Sequence, residues 1–513
     1  MDQQNETNRL SAMKNYIRIP FLVSWTFLAF LLLNCTQKNE SLESDQVVAR
    51  VGDKAITRQE FIRRSEYAIR PPYCRENNYI HKKIVLNSLI GEKLLAMEAG
   101  EDNKLARNPD FQAYLEGRKE QAMRQVHYHQ QAYNKVELSP DEIKKEFDAA
   151  GRTYRVSYFT VPNNDLSLKI AEKFKSENIS FEDMYQSLAG DTAVPQRKIA
   201  WISPEIKQIK EPLFKQVPRK GQILGPIQID DGNCLFMKVN GWIDARLITE
   251  NDIRNRRQQV VDQLKNEKAW ADYKSYVGKL MQKKQMQFSE DTFRKLVTIV
   301  APIYLNAEQT KKQMFNNSFW QNKEAESDGT NLPQSLDALD QLPFFTVDGT
   351  VWTVKQFRAY LKRHPLVFRK EGAKSKPFAE QFKLAVADLV RDYYITQDAY
   401  KKDYDENPAV RQQVDMWRDH LLALYQKYKY LDSKHVSEKD QMKIINDHLA
   451  AYIDSLQVRY GAHIQINLAA FDKIQLTRID MVALQPDQPF QIVVPSFPLI
   501  TTDHRLDYGK VMQ

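Results

Sequence analysis

Few side chains in this 513-residue sequence are of types that carry covalent or metal chemistry, and their spacing limits what they can do. The cysteines stand far apart, at Cys35, Cys74 and Cys234. There is no CxxC, and no His/Cys cluster has metal-ligand spacing, so neither a metal nor another cofactor is expected. Cys74 and Cys234 either pair in an oxidising compartment or stay as two free, partly buried thiols. His127 and His129 are the close histidine pair; on a helix they would point roughly 200° apart, which reads as surface. No phosphate loop, GxSxG or triad is present. Cys35 is of another kind. Lys14 and Arg18 precede a 13-residue apolar run from Phe21 to Leu33, and the chain turns polar straight after the cysteine, at Thr36-Gln-Lys-Asn-Glu40. A basic head, a short apolar core and a cysteine form the layout of a bacterial secretory signal whose cleavage leaves a lipidated cysteine. The run falls short of the ~20 residues of a membrane-spanning helix. Asn34 stands where the peptidase wants a small side chain, so an uncleaved anchor and an unlipidated secreted form stay open. All three place the bulk of the chain outside the inner membrane, and Thr36 leans towards the outer one.

The elements that must position anything else belong to a soluble, polar-surfaced and mostly helical body. Hydrophobic residues make up 42%, enough to build cores, while 27% are charged and mean hydropathy is −0.58. At about 150 residues per domain this length suggests about three domains. The formal charge is +8, but Lys and Arg are spread along the chain rather than clustered, which argues against nucleic acid as a partner.

An internal repeat organises the chain. Val51-Gly-Asp-Lys-Ala-Ile-Thr57-Arg-Gln-Glu60-Phe61 returns as Val347-Asp-Gly-Thr-Val-Trp-Thr353-Val-Lys-Gln356-Phe357. Each copy predicts a strand, a tight Gly/Asp turn, a second strand and a helix. Thr57 and Thr353 are expected to cap that helix, with Glu60 and Gln356 reaching back to complete a capping box. Leu86, Ile90, Leu94 and Met97 form one helical stripe, answered by Phe382, Val386, Leu389 and Tyr393. Asn108-Pro109 and Asn407-Pro408 follow, each an N-cap with proline in the first turn. Ser139-Pro-Asp-Glu142 and Ser437-Glu-Lys-Asp440 are further helix starts. The four ordered matches begin at offsets of 296 to 299 residues. Residues 151–244 interrupt the first copy. A long amphipathic helix from Thr249 follows, ending in Lys284-Gln-Met-Gln-Phe288, whose counterpart is Tyr460-Gly-Ala-His-Ile-Gln-Ile466.

The opening Gln46-Val-Val-Ala-Arg-Val-Gly-Asp-Lys-Ala-Ile-Thr-Arg-Gln-Glu-Phe61, with Leu89 to Ala99 and Asn108-Pro-Asp-Phe111, resembles the SurA/PrsA/PpiD class of extracytoplasmic chaperones. The resemblance covers residues 46–295 and, more faintly, 343–471. It implies a helical chaperone module split by a parvulin-type prolyl isomerase domain. Tyr154-Arg-Val-Ser-Tyr158-Phe-Thr-Val161 resembles the first parvulin strand, and Lys220-Gly221-Gln-Ile-Leu-Gly225-Pro226-Ile227 and Leu235-Phe-Met-Lys-Val239 resemble its end; a β-α-α-α-β-β order is expected. Active parvulins carry histidines where this chain has Tyr158 and Leu235. The apolar proline cradle falls near Glu205 and Ile209, and Asp191 takes a catalytic-loop position. Residues 151–244 contain no histidine at all. Isomerisation lowers a ~20 kcal/mol rotation barrier through a shaped apolar pocket and a tuned polar network, and losing both histidines and the cradle removes most of that.

The expected fold is α+β and mostly helical. The signal layout gives a signal peptide (1–34) and a tether (35–46), and the resemblance adds a first helical module (47–150 with 245–300) and a parvulin-like insert (151–244). A linker (306–338), a second helical module (339–475) and a tail (476–513) complete it. The leading expectation is a periplasmic chaperone, lipid-anchored to a membrane through Cys35, that binds unfolded exported or outer-membrane polypeptides and uses no cofactor. Its isomerase positions, Tyr158, Asp191, Ile209 and Leu235, are degenerate. Aromatic residues Tyr393, Tyr394, Trp417, Tyr425 and Tyr428 either hold clients or fill the core. Two alternatives stand beside it. One is an active isomerase with an unusual pocket around Tyr158, Asp191 and Cys234. The other is a structural partner in an envelope complex, with Pro489–Pro498 as an interaction strand.

Overall fold

The structure, a computed structural model, describes residues 47–162, 164–177, 179–203, 205–229, 233–247, 249–305, 336–369, 377–476, 481 and 490–512. The signal, the tether with Cys35, linker residues 306–335 and tail residues 477–480 and 482–489 lie outside the described residues. The fold is α+β and mostly helical.

In chain order, a hairpin β1 (Val47–Val51) and β2 (Lys54–Thr57) leads into α1 (Arg58–Glu66), α2 (Tyr79–Ala99), α3 (Pro109–Gln131) and α4 (Pro140–Ala150). The insert comprises β3 (Arg152–Val161), α5 (Asn164–Ser176), α6 (Phe181–Ala189), β4 (Gln196–Ala200), α7 (Lys207–Lys210), β5 (Ile223–Gln228) and β6 (Cys234–Asp244). Then come α8 (Glu250–Met281), β7 (Met286–Phe288) and α9 (Glu290–Leu305). The second copy holds β8 (Pro343–Val347), β9 (Thr350–Thr353), α10 (Val354–Arg363), α11 (Phe378–Tyr400) and α12 (Pro408–Ser433). It continues through α13 (Gln441–Ile444), α14 (Ala450–Tyr460), β10 (Ile464–Ile466) and α15 (Leu468–Asp472) to β11 (Lys510–Val511). Among the described residues no helix is long and apolar enough to cross a membrane.

Local chemistry sets these boundaries. Both hairpins turn on two residues, between Val51 and Lys54 and between Val347 and Thr350, with Gly52, Asp348 and Gly349 at positive φ. Asn108 and Asn407 accept from the amides of Asp110 and Ala409 at 2.8 and 2.9 Å, each ahead of a first-turn proline. Thr57 accepts from the Glu60 amide and Thr353 from the Gln356 amide, and Gln356 reaches back to the Thr353 amide at 2.8 Å. Glu60 does not reach back: its carboxylate lies 2.9 Å from the buried ammonium of Lys93. The expected start at Ser437 also moves. Asp440, not Ser437, caps α13, accepting from Met442 and Lys443. The insert differs from the expected order by β4, an edge strand between its second and third helices.

The chain forms two compact units that run across the sequence copies. Among the described residues, 47–99, 426–476 and 494–512 make the first. Its sheet has the order β11-β10-β1-β2, with β1 antiparallel to β2 and β10. The hairpin of the first copy is thus extended by the late strand of the second, and α2 packs on α1, β1 and α14. The described residues between 100 and 425, with 481 and 490–493, make the other unit. There the second copy's hairpin is extended by the first copy's late strand, in the order β7-β8-β9. Helix α3 packs on α10 and α11, so closely that a Cβ on Gly117 would stand 2.0 Å from the Arg363 carbonyl oxygen. Gly117 lets the two backbones meet.

Candidate functional site

The insert's sheet, ordered β4-β3-β6-β5, is antiparallel throughout and places the sequence-predicted residues. Alternation sends side chains of the two central strands, β3 and β6, to opposite faces. Tyr154, Val156, Leu235, Met237 and Val239 face one core, closed by Ile209 of α7 with Leu213 and Phe214 from the π-turn that follows it. Phe159, Val161, Cys234 and Phe236 face a second core, closed by Ile170 of α5 and by Phe181 and Met184 of α6.

Tyr158 is half-buried against the first core and stands opposite Met237; Thr160 stands opposite Leu235. The Arg197 guanidinium lies 5.0 Å from the Tyr158 ring centroid and 3.1 Å from the Glu205 carboxylate. Leu235 and Ile209 are 2% and 6% exposed, so both fill the core instead of lining a cleft. Asp191 is exposed in the loop after α6. Cys234 lies on the far face of the sheet from Tyr158 and Leu235. The structure therefore brings Tyr158, Leu235 and Ile209 to one apolar face and keeps Asp191 and Cys234 away from it. The polar groups of the two central strands lie on the opposite face, the one that α6 closes, and are paired there: Asn240 donates to the buried Ser157 hydroxyl at 2.8 Å, and Lys238 pairs with Glu182 of α6 at 2.7 Å. Its hydrogen bond to Lys238 holds Glu182 below the usual carboxylate range. Cys74 and Cys234 are both buried and stand outside any disulfide among the described residues, and burial pushes the Cys74 thiol up to about 12, which makes it a poor nucleophile.

No family profile matches the chain, and no curated protein matches it either. Among solved structures it is similar to the crystal structure of foldase protein PrsA from Streptococcus pneumoniae str. Canada MDR_19A. That match has 13% identity and a TM-score of 0.19, and covers 52% of this chain and 97% of that one. A superposition so loose carries no argument about function, which rests instead on the chain's own residues.

The second unit holds a buried polar cluster that sequence reasoning missed. His127, expected at the surface, is fully buried. Its Nε2 lies 2.7 Å from Asp398 Oδ2 and its Nδ1 2.9 Å from Tyr273 Oη. Asp398 also accepts from Tyr276 at 2.6 Å and from Lys402 at 2.6 Å. A carboxylate only accepts, so Nε2 carries the proton and Nδ1 accepts from the Tyr273 hydroxyl. Burial lowers the His127 pKa against the opposing pull of Asp398. Burial raises Asp398, but the bonds from Lys402, Tyr276 and His127 outweigh it and hold it at about 2. A matching pair joins α10 to α3, where His364 Nε2 meets Glu120 and Tyr400 donates to Glu120 and Glu116. Both histidines are sealed inside helix contacts, which suits them to holding the fold, and their partners lie too far along the chain for any local pattern to reveal them. Of the aromatic candidates Trp417 is buried, Tyr393, Tyr394 and Tyr425 are half-buried and Tyr428 is exposed. Among the described residues no group of three or more His, Cys, Asp or Glu side chains is placed to hold a metal ion.

Proposed function

We propose that this chain is an extracytoplasmic holding chaperone of the SurA/PrsA type, tethered to a membrane through lipid on Cys35, that binds unfolded exported or outer-membrane polypeptides without isomerising their prolines. One observation carries the reading. The sheet face of residues 151–244 that would have to present a tuned polar network to a twisted peptide is instead filled by Leu235, Met237 and Ile209, with Tyr158 under Arg197. Electrostatic stabilisation of a rotating peptide needs polar groups free to meet it. An apolar filling leaves the insert a scaffold or a binding surface within a helical body.

The test is an aggregation assay with the mature chain and an unfolded outer-membrane protein. A delay in light scattering at equimolar chain is expected, and scattering that matches a buffer control would overturn the reading. A proline-limited refolding assay run beside it is expected to show the uncatalysed rate; an acceleration would return the isomerase reading. Labelled fatty acid is expected on the wild-type chain in cells and to be lost in Cys35→Ser.

A further inference from the structure

The last stretch of the first unit is built unlike the rest of the fold. None of residues 494–507 lies in a helix or strand, yet Pro495, Phe497, Pro498, Ile500, Thr501 and Leu506 are buried. The segment is extended, and its prolines lack the N–H groups that a sheet partner would need. Side chains from several helices take its carbonyls instead. Arg64 of α1 donates to the Ser496 carbonyl at 3.0 Å. Lys427 near the end of α12 and Gln441 of α13 both donate to the Leu499 carbonyl, at 3.1 and 3.3 Å. Asn87 of α2 donates to the Asp503 carbonyl at 2.9 Å. Lys427 is 7% exposed, and burial, with no carboxylate beside it among the described residues, lowers its amine to about 8, so its charge is held inside the unit largely for this one carbonyl.

The seat for side chains is equally specific. Gly91 opens the face of α2: a Cβ there would stand 2.8 Å from Ile500 Cδ1 and 3.5 Å from Ile453 of α14. Ile500 therefore drops into a slot between α2 and α14 that exists because residue 91 has no side chain. The helix that carries the slot also has walls of its own: α2 packs directly on α1, β1 and α14.

Donors aimed at main-chain carbonyls, with apolar slots between them, recognise an extended polypeptide by its backbone and by the spacing of its apolar residues, whatever its sequence. We propose that this groove, walled by α1, α2, α12, α13 and α14, is a binding site for extended, proline-bearing apolar segments of unfolded polypeptides. Residues 494–506 are its resident occupant, which a client displaces. The inference deepens the chaperone reading and rests on it for the identity of the client. The occupant's own chemistry argues for the client class: Pro-Ser-Phe-Pro-Leu-Ile is an apolar segment with no charged residue.

The experiment is fluorescence anisotropy with a labelled synthetic peptide of residues 494–506. The full chain carrying Phe497→Asp and Ile500→Asp should release the segment, seen as faster hydrogen exchange over 494–506 with α2 and α14 still protected. The released chain should bind the peptide at least ten-fold tighter than wild type. Adding Lys427→Met and Gln441→Ala, which removes both donors to the Leu499 position, should abolish most of that gain. A second arm uses no core substitution: a protease site placed at the exposed Gln491 is cut after folding, and the labelled peptide should then exchange for the cut fragment. A released, folded chain that binds the peptide no better than wild type overturns the proposal. Loss of α2 and α14 protection on release or cutting also overturns it, because the segment is then integral core. A doubling of mass on release, with no peptide bound, overturns it in favour of a second copy as occupant. Peptide binding without any delay of aggregation would instead count against the chaperone reading and leave the groove standing.

Discussion

The two hairpin-and-helix elements begin alike and are held in opposite ways. At an offset of 296 residues, Phe61 and Phe357 are both buried under their hairpins. On the same helices Glu60 answers Gln356 and Arg64 answers Tyr360, and on the next long helices, α2 and α11, Glu92 answers Asp388. In the first unit those positions form an internal ion network: Arg64 and Glu92 are fully buried and 2.7 Å apart, and Glu60 faces Lys93. In the second unit Gln356 stays outside as a cap, and Asp388 pairs with Arg369 and Arg391 nearer the surface. Its interior is aromatic instead, with Phe344 and Phe357 centroids 4.8 Å apart and Tyr360 edge-on to Trp352 and Tyr393. A shared local pattern sets where the chain turns and where the helix starts. It does not set how the inner face is satisfied.

The sharpest break of this comparison comes from removing one member of each network. Glu92→Ala leaves Arg64 charged and buried, so the first unit should lose about 3–5 kcal/mol. Asp388→Ala, at the matching position, should cost at most about 1 kcal/mol, because its partners keep access to water. The order reverses for an aromatic truncation: Phe344→Ala should open a cavity in the second unit at a cost of about 3–5 kcal/mol. Hydrogen exchange resolved by helix, with α1 and α2 read against α10 and α11, separates the two effects. Equal losses in both units for Glu92→Ala would show that the network is not local to the first.

Acid should act on the two units with opposite sign. Burial lowers the pKa of His127 and of His364 in the second unit, although Asp398 and Glu120 pull the other way. A lowered folded-state pKa gives stability that is present above the unfolded value of about 6.5 and is lost as pH falls towards the folded one. The first unit carries the reverse case. Burial raises Glu60, with Lys93 opposing, so its contribution is full below the unfolded value and declines as pH rises through the folded one. Moving from about pH 7.5 to about 5.5 should therefore weaken protection of α3 and α11 and leave that of α1 unchanged or improved. His127→Gln with His364→Gln should flatten the second unit's response. A slope that survives both substitutions would assign it to other groups.

What could be read ahead of the structure was what neighbouring residues decide. Turns at Gly52 and Gly349, caps at Asn108 and Asn407, and the run of strands and helices need only a few adjacent side chains. The exchange of late strands was closed to that reading for a physical reason. Met286–Phe288 and Ile464–Ile466 are equivalent short strands with alternating apolar residues, and nothing in either one discriminates between the two hairpins. Glu60 turns inward because Lys93 waits on the next long helix, and His127 is buried because Tyr273 and Asp398 arrive from α8 and α11. That the insert contains no histidine was plain from the letters alone. That Leu235 and Ile209 fill one face of the sheet, while Cys234 points away from it, follows only from strand alternation seen in its register.

The smallest expected effects test how finely a cap can be placed. Thr57→Ala and Thr353→Ala each remove the acceptor of one orphan amide and should cost about 1 kcal/mol. Gln356→Ala should cost less, because it removes only the return half of the box. Glu60→Ala should cost far more, because it strands Lys93. The finest case is the start of α13. Asp440 accepts from two amides, at 2.9 Å from Met442 and 3.1 Å from Lys443, and its charge sits at the positive end of the helix. Asp440→Ala should therefore cost about 1 kcal/mol. Ser437, three residues upstream, does not cap α13, so Ser437→Ala should fall within about 0.5 kcal/mol of wild type. Paired urea melts decide it. If the serine variant proves the weaker, the helix starts a turn earlier in solution, and the two copies are more alike at this point than Asp440 makes them.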